Sequence, residues 1–257
     1  MPLIRAFSVP FYALFSIVCS THSLYATERH FTFTYEITTT AKGELELENW
    51  VTWQIHRGRN GEFNSNEFDF RHEFEYGITD RLQASLYFAD WHINEHFDGP
   101  DHVQYDDAAL ELIYRLSNPI TDLLGSAAYG EIRGGPDLLE LESKVLLQKN
   151  FGKWIGAYNA TLEARWTGEH LQQQEGEFSQ TAAVSYEINP RFTVGAEALH
   201  EIDMPNWNKA EKSILWAGPN ASVRFSHWYV TVTALARLSD NSGEPDLQTR
   251  LITGYEF

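Results

Sequence analysis

Charged side chains recur two residues apart along this chain: Arg71, Glu73 and Glu75; Glu131 and Arg133; Glu142 and Lys144; Glu163 and Arg165. On an extended strand residues i and i+2 share a face, so each set points into one common space. Glu111, Arg115, Glu197, Arg224 and Arg250 fall on the corresponding face of their own segments. Turned into the bore of a closed cylinder, these groups form a charged, hydrated path for a small solute, with rings of charge tuning selectivity. Paired with one another, they form an ion-pair lattice that fills the bore. The spacing accommodates both.

Other chemistry is poorly served. His56, His92, His96, His102, His170 and His200 lie towards the longer connections, and none has a serine two residues away. Ser226 and His227 are adjacent but sit in a turn at the opposite end. There is no Gly-x-Ser-x-Gly elbow and no His-Glu-x-x-His zinc motif, so no catalytic residue, cofactor or metal centre is expected. Glu44, Glu46 and Glu48 suggest an acidic mouth at the turn end. Carboxylates alone at that spacing read as a solvated edge before they read as a calcium site.

The charged residues need strands to present them, and the chain supplies alternation almost throughout. Segments near 44–56, 68–78, 81–88, 105–116, 123–134, 138–149, 153–167, 177–188, 191–202, 213–225, 227–238 and 246–257 put apolar residues on one side and polar ones on the other. That gives about twelve strands, most of about 11–14 residues, against about 5–6 in ordinary sheets. Short connections (Thr79-Asp80, Ser117 to Asp122, Phe151-Gly152, Asn189-Pro190, Ser226-His227) mostly alternate with longer polar ones: Gly58 to Asn66, Glu95 to Gln104, Gly168 to Gly176, Asp203 to Glu211 and Asp240 to Pro245. Gly135-Pro136-Asp137 is the exception. Membrane barrels alternate their turns and loops in this way. The fold class expected is all-β, a closed antiparallel transmembrane barrel of about twelve strands.

Energetics decide which face meets lipid. Leu45, Phe70, Phe74, Leu86, Leu110, Leu112, Val145, Leu162, Val184, Val194, Val223 and Val232 share the apolar side. A basic residue facing lipid at mid-bilayer costs about 2–4 kcal/mol, so the ionic face must be the lumen. Tyr76, Tyr114, Trp154, Tyr186, Phe192, Phe225, Trp228, Tyr255 and Phe257 cluster at the turn side, and Trp53, Phe68, Phe88, Trp166 and Phe178 towards the loops. They predict two interfacial girdles. His72 and Gln180 fall on the lipid side and fit it poorly.

At the start, Arg5, the apolar run from 11 to 19 and Ala26 form a secretory signal over residues 1–26. Cys19 follows Val18, where a lipidation motif wants a small residue, and cleavage near Ala26 leaves a barrel of residues 27–257 without cysteine. Disulfides and thiol chemistry are thereby excluded. Within it, residues 27–43 read as a periplasmic strand, a lumen plug or a short hairpin arm, and the alternation from Phe31 to Thr38 does not choose. The net charge of −17 argues against nucleic acid.

The alternating terminal stretch Leu251 to Phe257, ending on an aromatic residue, resembles the last strand of bacterial outer-membrane barrels. In that family the barrel-assembly machinery recognises this signal, which here is Tyr255 and Phe257. With Gly77-Ile78-Thr79-Asp80-Arg81-Leu82 and Gly218-Pro219, it resembles uncharacterised barrels of the phenol-degradation-pathway transporter type. The resemblance implies location in the bacterial outer membrane among its lipids, and a passive channel or transporter-like role for an unidentified small solute. A membrane-embedded hydrolase and a structural barrel without a pore are the alternatives.

Overall fold

The computed structural model of the protein describes residues 29–57, 63–96, 102–240 and 244–257. The signal at residues 1–26, and the middles of three expected loops, lie outside them. Twelve strands follow one another in sequence: β1 Leu45–Arg57, β2 Phe63–Thr79, β3 Leu82–His96, β4 His102–Arg115, β5 Gly125–Gly135, β6 Leu138–Phe151, β7 Trp154–Thr167, β8 Gln173–Asn189, β9 Phe192–Pro205, β10 Ile214–Arg224, β11 Trp228–Arg237 and β12 Leu247–Glu256. Each pairs antiparallel with its neighbours, and β1 pairs with β12 from Glu46↔Glu256 to Ile55↔Leu247 to close the barrel. Closure leaves no open edge, as a strand assembly in hydrocarbon requires.

The sequence sets the direction of every strand. Leu45, Leu86, Leu110, Leu112, Val145, Leu162, Val184 and Val232 face outward, while Glu46, Glu48, Glu73, Glu111, Glu131 and Glu197 are buried within. The girdles form as expected: Tyr76, Tyr114, Trp154, Trp228 and Tyr255 stand exposed on the turn side, and Phe225 stacks on Trp228 at 3.9 Å. Above, Phe70 stacks on Trp91 at 4.0 Å and Trp53 on Phe68 at 6.0 Å. His72 and Gln180 do lie on the outer side, each with a polar partner on the adjacent strand. The His72 ring meets Asn49 Oδ1 at 2.8 Å, and the Tyr158 hydroxyl donates to Gln180 Oε1 at 2.5 Å. Such pairing lowers the cost of a polar group in an apolar setting.

The strands run further towards the loop side than the hydrophobic pattern indicates. β2 begins at Phe63, β3 continues to His96 and β8 begins at Gln173, so segments read as loops are partly hairpin. A strand needs an apolar face only where it crosses hydrocarbon, about 9–11 residues. Beyond that depth it is polar on both sides, and the signal for it fades. On the turn side the connections are tight. At Asp80–Arg81, Thr79 Oγ1 accepts the N–H groups of Arg81 and Leu82 at 3.2 and 3.0 Å.

Residues 29–43 are a plug. The segment enters the bore beside Ser222 and Thr231, rises to Glu197 and Asn159, and descends past Gln148 and Gln83 to meet β2 at Gly77. It then reverses into β1 through Gly43, whose φ of 85° only glycine adopts without strain. Gly77 is the place where the chain passes the wall: a Cβ there would lie 2.0 Å from the carbonyl oxygen of Ala41.

Candidate functional site: a plugged lumen with an open vestibule

A segment lying across the bore without a strand partner leaves its backbone groups in need of hydrogen bonds, because an unsatisfied buried N–H or C=O costs about 1–3 kcal/mol. Wall side chains supply them. The Glu197 carboxylate accepts the N–H groups of Thr32, Phe33 and Thr34 at 2.8, 2.9 and 2.8 Å, and the Thr233 hydroxyl at 2.5 Å. Asn159 brackets the peptide groups of Tyr35, Gln148 Oε1 accepts from Ile37 N–H at 2.9 Å, and Gln83 Oε1 from Thr40 N–H at 2.8 Å. From β10, next to the strand that carries Glu197, Asn220 donates to the His30 carbonyl at 2.6 Å and Ser222 to that of Arg29 at 3.1 Å.

Between these clamps the plug buries its large side chains in three apolar nests. Phe31 lies against Ile155, Ala157 and Ala183; Phe33 against Leu199, Ile214, Trp216 and Leu235; Tyr35 and Ile37 against a cluster including Trp50, Ile113, Tyr129, Leu146 and Ile252. Burying one such side chain contributes roughly 1.5–3 kcal/mol. The alternation of Phe31, Phe33, Tyr35 and Ile37 therefore serves a plug: both sides of the segment meet wall, and Thr32 and Thr34 are buried too.

Cations cover the upper surface of the plug. Arg250 sits over Phe33 at 4.1 Å, and Lys144 over Tyr35 and Tyr129 at 4.4 and 4.1 Å. Arg71 lies over the wall residue Tyr87 at 4.7 Å, and from the turn side the plug's own Arg29 lies over Tyr35 and Trp50 at 4.6 and 4.7 Å. Cation–π contacts of this kind contribute from about 0.5 to 2 kcal/mol as they are desolvated.

Above that floor opens a vestibule of about 810 Å³, lined from Phe33 and Tyr35 up to Gln104 and Glu244. A belt of ion pairs runs around one wall. Arg71 and Arg133 both reach Asp90, at 2.9 and 3.1 Å. Arg133 further meets Asp107 at 3.3 Å, Glu131 at 2.9 Å and Glu140 at 3.4 Å. Arg165 meets Glu140 at 2.8 Å and Glu163 at 2.7 Å, and Lys144 pairs with Glu142. The wall continuing from β8 holds Glu177, Ser179, Thr181, Glu201 and Gln248. In all, twelve acidic side chains line the vestibule against five basic ones, so its field favours cations. At its mouth, burial and then the charge of Asp203 raise Glu244 above the usual carboxylate range.

The charged residues read from the sequence are divided by the plug. Arg71, Arg133, Glu142, Lys144, Glu163, Arg165 and Arg250 line the vestibule. Glu73, Glu75, Glu111, Glu131 and Glu197 do not; all are buried, and Glu197 is committed to the plug backbone. Arg115 and Arg224 are on the turn rim, where they donate to the carbonyls of Asp80 and Pro190. The lattice and the open space coexist, one above the plug and partly built into its wall. Glu46 and Glu48 are not a solvated edge: they are 1% and 2% exposed, packed under the plug.

Alternation misses several participants. Asp90 is hidden by a bulge in β3, where the pairing with β4 shifts between Tyr87 and Asp90 and puts both residues inward. Gln83, Gln148 and Asn159 sit at inward positions, but an uncharged amide there carries no sign that it will hold a backbone.

The sequence profile of a family of unknown function (DUF6662) matches residues 23–250. No curated protein sequence matches the chain. Among solved structures, the COG4313 outer membrane channel from Pseudomonas putida F1 is similar at a TM-score of 0.63 and 12% identity, covering 88% of this chain and 100% of that one. The NanC porin is similar at 0.56 and 9%, covering 83% and 100%. The translocator domain of the autotransporter NalP from Neisseria meningitidis is similar at 0.54 and 14%, covering 86% and 91%. At these identities the likeness establishes the fold, that of a bacterial outer-membrane β-barrel.

Proposed function

The chain belongs to this family of unknown function, and we propose that it is a plugged outer-membrane channel that admits a small, preferentially cationic solute and conducts when residues 29–43 shift. The observation that carries this reading is the manner of closure. Between Thr32 and Thr40 the hydrogen bonds that seat the plug run to wall side chains rather than along a strand ladder. Side-chain clamps release in pieces, whereas a strand added to a closed barrel would not. Above them the vestibule is open, acid-rich and large enough for a small molecule. The similar COG4313 protein is an outer membrane channel and NanC is a porin, which supports the same reading. The mechanism is passive: a solute enters the vestibule, the acidic lining concentrates cations, and passage follows loosening of the plug, with no cofactor or coupled reaction.

Planar-bilayer recording tests this with the full chain beside a variant lacking residues 29–42. Rare, brief openings are expected for the full chain and a steady, cation-preferring current for the deletion. If the folded deletion variant carries no current above background, the pore is abandoned in favour of a structural barrel.

A further inference from the structure

Four carboxylates face one another across the β1–β2 ladder in the turn-side half of the bore. Glu46 is the direct cross-strand partner of Glu75, and Glu48 of Glu73. Like charges directly opposite one another on a sheet destabilise it, and here all four are buried, at 1%, 6%, 2% and 1% exposure in that order. One cation of the described residues reaches them by an ion pair, Arg29, whose guanidinium lies 2.5 Å from Glu48. Glu48 further accepts from Trp50 Nε1 at 2.8 Å and from the Tyr229 hydroxyl, and Glu75 from Thr40 Oγ1 at 3.0 Å. Glu46 and Glu73 are different: both oxygens of each are buried without a hydrogen-bond partner. A carboxylate so placed, among three others, demands a positive counterpart.

The geometry points to a calcium-sized divalent cation bound between Glu48, Glu73 and Glu75. One oxygen from each lies within 4.8 Å of the others, near enough for all three to ligate one ion with bonds of about 2.3–2.6 Å. A buried cage of protein carboxylates suits calcium, whereas magnesium usually keeps several waters and demands near-ideal octahedral geometry. Beside the cluster is a cavity of about 30 Å³ lined by Glu46, Glu48, Glu75, Gln83 and the plug's Arg29 and Thr38, room for a coordinating water. Through Arg29 on Glu48 and Thr40 on Glu75, the plug grips two of the three ligands. Filling the site therefore fixes the wall side chains on which both ends of the plug are seated, and calcium becomes a latch for closure. This inference stands on the cluster itself and does not depend on conduction.

The test is calorimetric titration of calcium chloride into the full chain, folded in detergent and stripped with chelator at neutral pH. Saturable binding of one ion per chain is expected, weakened by about tenfold or more in Glu73→Gln as a ligand charge is removed, and unchanged in Glu169→Gln, an exposed carboxylate in the connection between β7 and β8. Heat-modifiable gel mobility establishes that each variant is folded; should Glu73→Gln not fold, Glu75→Gln takes its place with the same expectation. Amide exchange at Tyr35 and Ile37 is expected to slow when calcium is added to the wild type and not to either variant. Absence of saturable binding to the folded wild type overturns the site and leaves the carboxylates neutralised by protons. Equal binding by wild type and Glu73→Gln overturns it as well, placing the ion elsewhere.

Discussion

The side chain of Asn159 grips Tyr35 by two hydrogen bonds: Tyr35 N–H donates to Oδ1 at 2.7 Å, and Nδ2 donates to the Tyr35 carbonyl at 2.9 Å. One amide on β7 thus substitutes for a neighbouring strand at the midpoint of the plug. Replacement by leucine leaves both backbone groups buried and unpartnered, at about 1–3 kcal/mol each. Asn159→Leu is expected to speed hydrogen exchange of the Tyr35 amide by about tenfold or more while the barrel strands stay protected. Unchanged exchange at Tyr35 would remove Asn159 from the clamp.

Glu197 holds more of the segment than any other wall residue, through three consecutive N–H groups. Hydrogen bonds to a charged acceptor contribute about 1.5–3 kcal/mol each. Glu197→Ala is therefore expected to raise the open fraction in bilayer recordings by more than about tenfold, and Glu197→Gln, which keeps one oxygen acceptor, by less. The reverse order, or two silent variants, would show that Glu197 does not gate closure.

Gly77 sets where the plug crosses β2. Any side chain there collides with the backbone of Ala41, its Cβ 2.0 Å from the carbonyl oxygen. Gly77→Val is expected to insert and resist detergent as wild type does, since the barrel ladder continues on both sides, yet to expose the plug to added protease. A variant that folds with a protease-resistant plug would mean that the segment has another route out.

Selectivity should follow the excess of acid in the vestibule. In a salt gradient the variant lacking residues 29–42 is expected to prefer cations, and Glu163→Gln, Glu177→Gln and Glu201→Gln combined in it to lower that preference severalfold. Glu244 takes up a proton at a higher pH than an ordinary carboxylate because of burial and Asp203. Part of the loss of cation preference on lowering pH is accordingly expected to come from protonation of Glu244, and to be absent in Glu244→Gln. A reversal potential of anionic sign would contradict the vestibule as the selective region.

Much of this architecture can be read from alternation, because in a barrel one physical requirement, apolar outside and polar within, is imposed on every strand. Leu110, Glu111 and Leu112 declare their directions in three letters, and β4 obeys them. The rule fails where the requirement lapses. Above the bilayer β2 and β3 are polar on both sides, so their upper portions look like loop. At the β3 bulge the count slips and conceals Asp90. Within the lumen, direction is legible but partners are not. Glu163 and Glu197 have the same type and the same inward parity, yet one pairs with Arg165 in the vestibule and the other holds backbone beneath it. Which role each takes depends on the path of residues 29–43 through the bore, and the alternation of Phe31, Phe33, Tyr35 and Ile37 fits an outer strand as well as a plug.

The outer face makes a depth-dependent prediction. Leu110 lies well inside β4 with 57% of its surface exposed, whereas Leu123, 94% exposed, lies in the connection between β4 and β5. In water these two positions would tolerate a charge equally. In a bilayer, Leu110→Arg is expected to cost about 2–4 kcal/mol and Leu123→Arg about 0–1 kcal/mol, because only the first puts a guanidinium against hydrocarbon. Equilibrium urea titration of folding into lipid vesicles reads the difference directly. Equal penalties at the two sites would mean that the waist of the barrel does not sit in the membrane core, and a vestibule facing the outside and a plug on the periplasmic side would lose their meaning together.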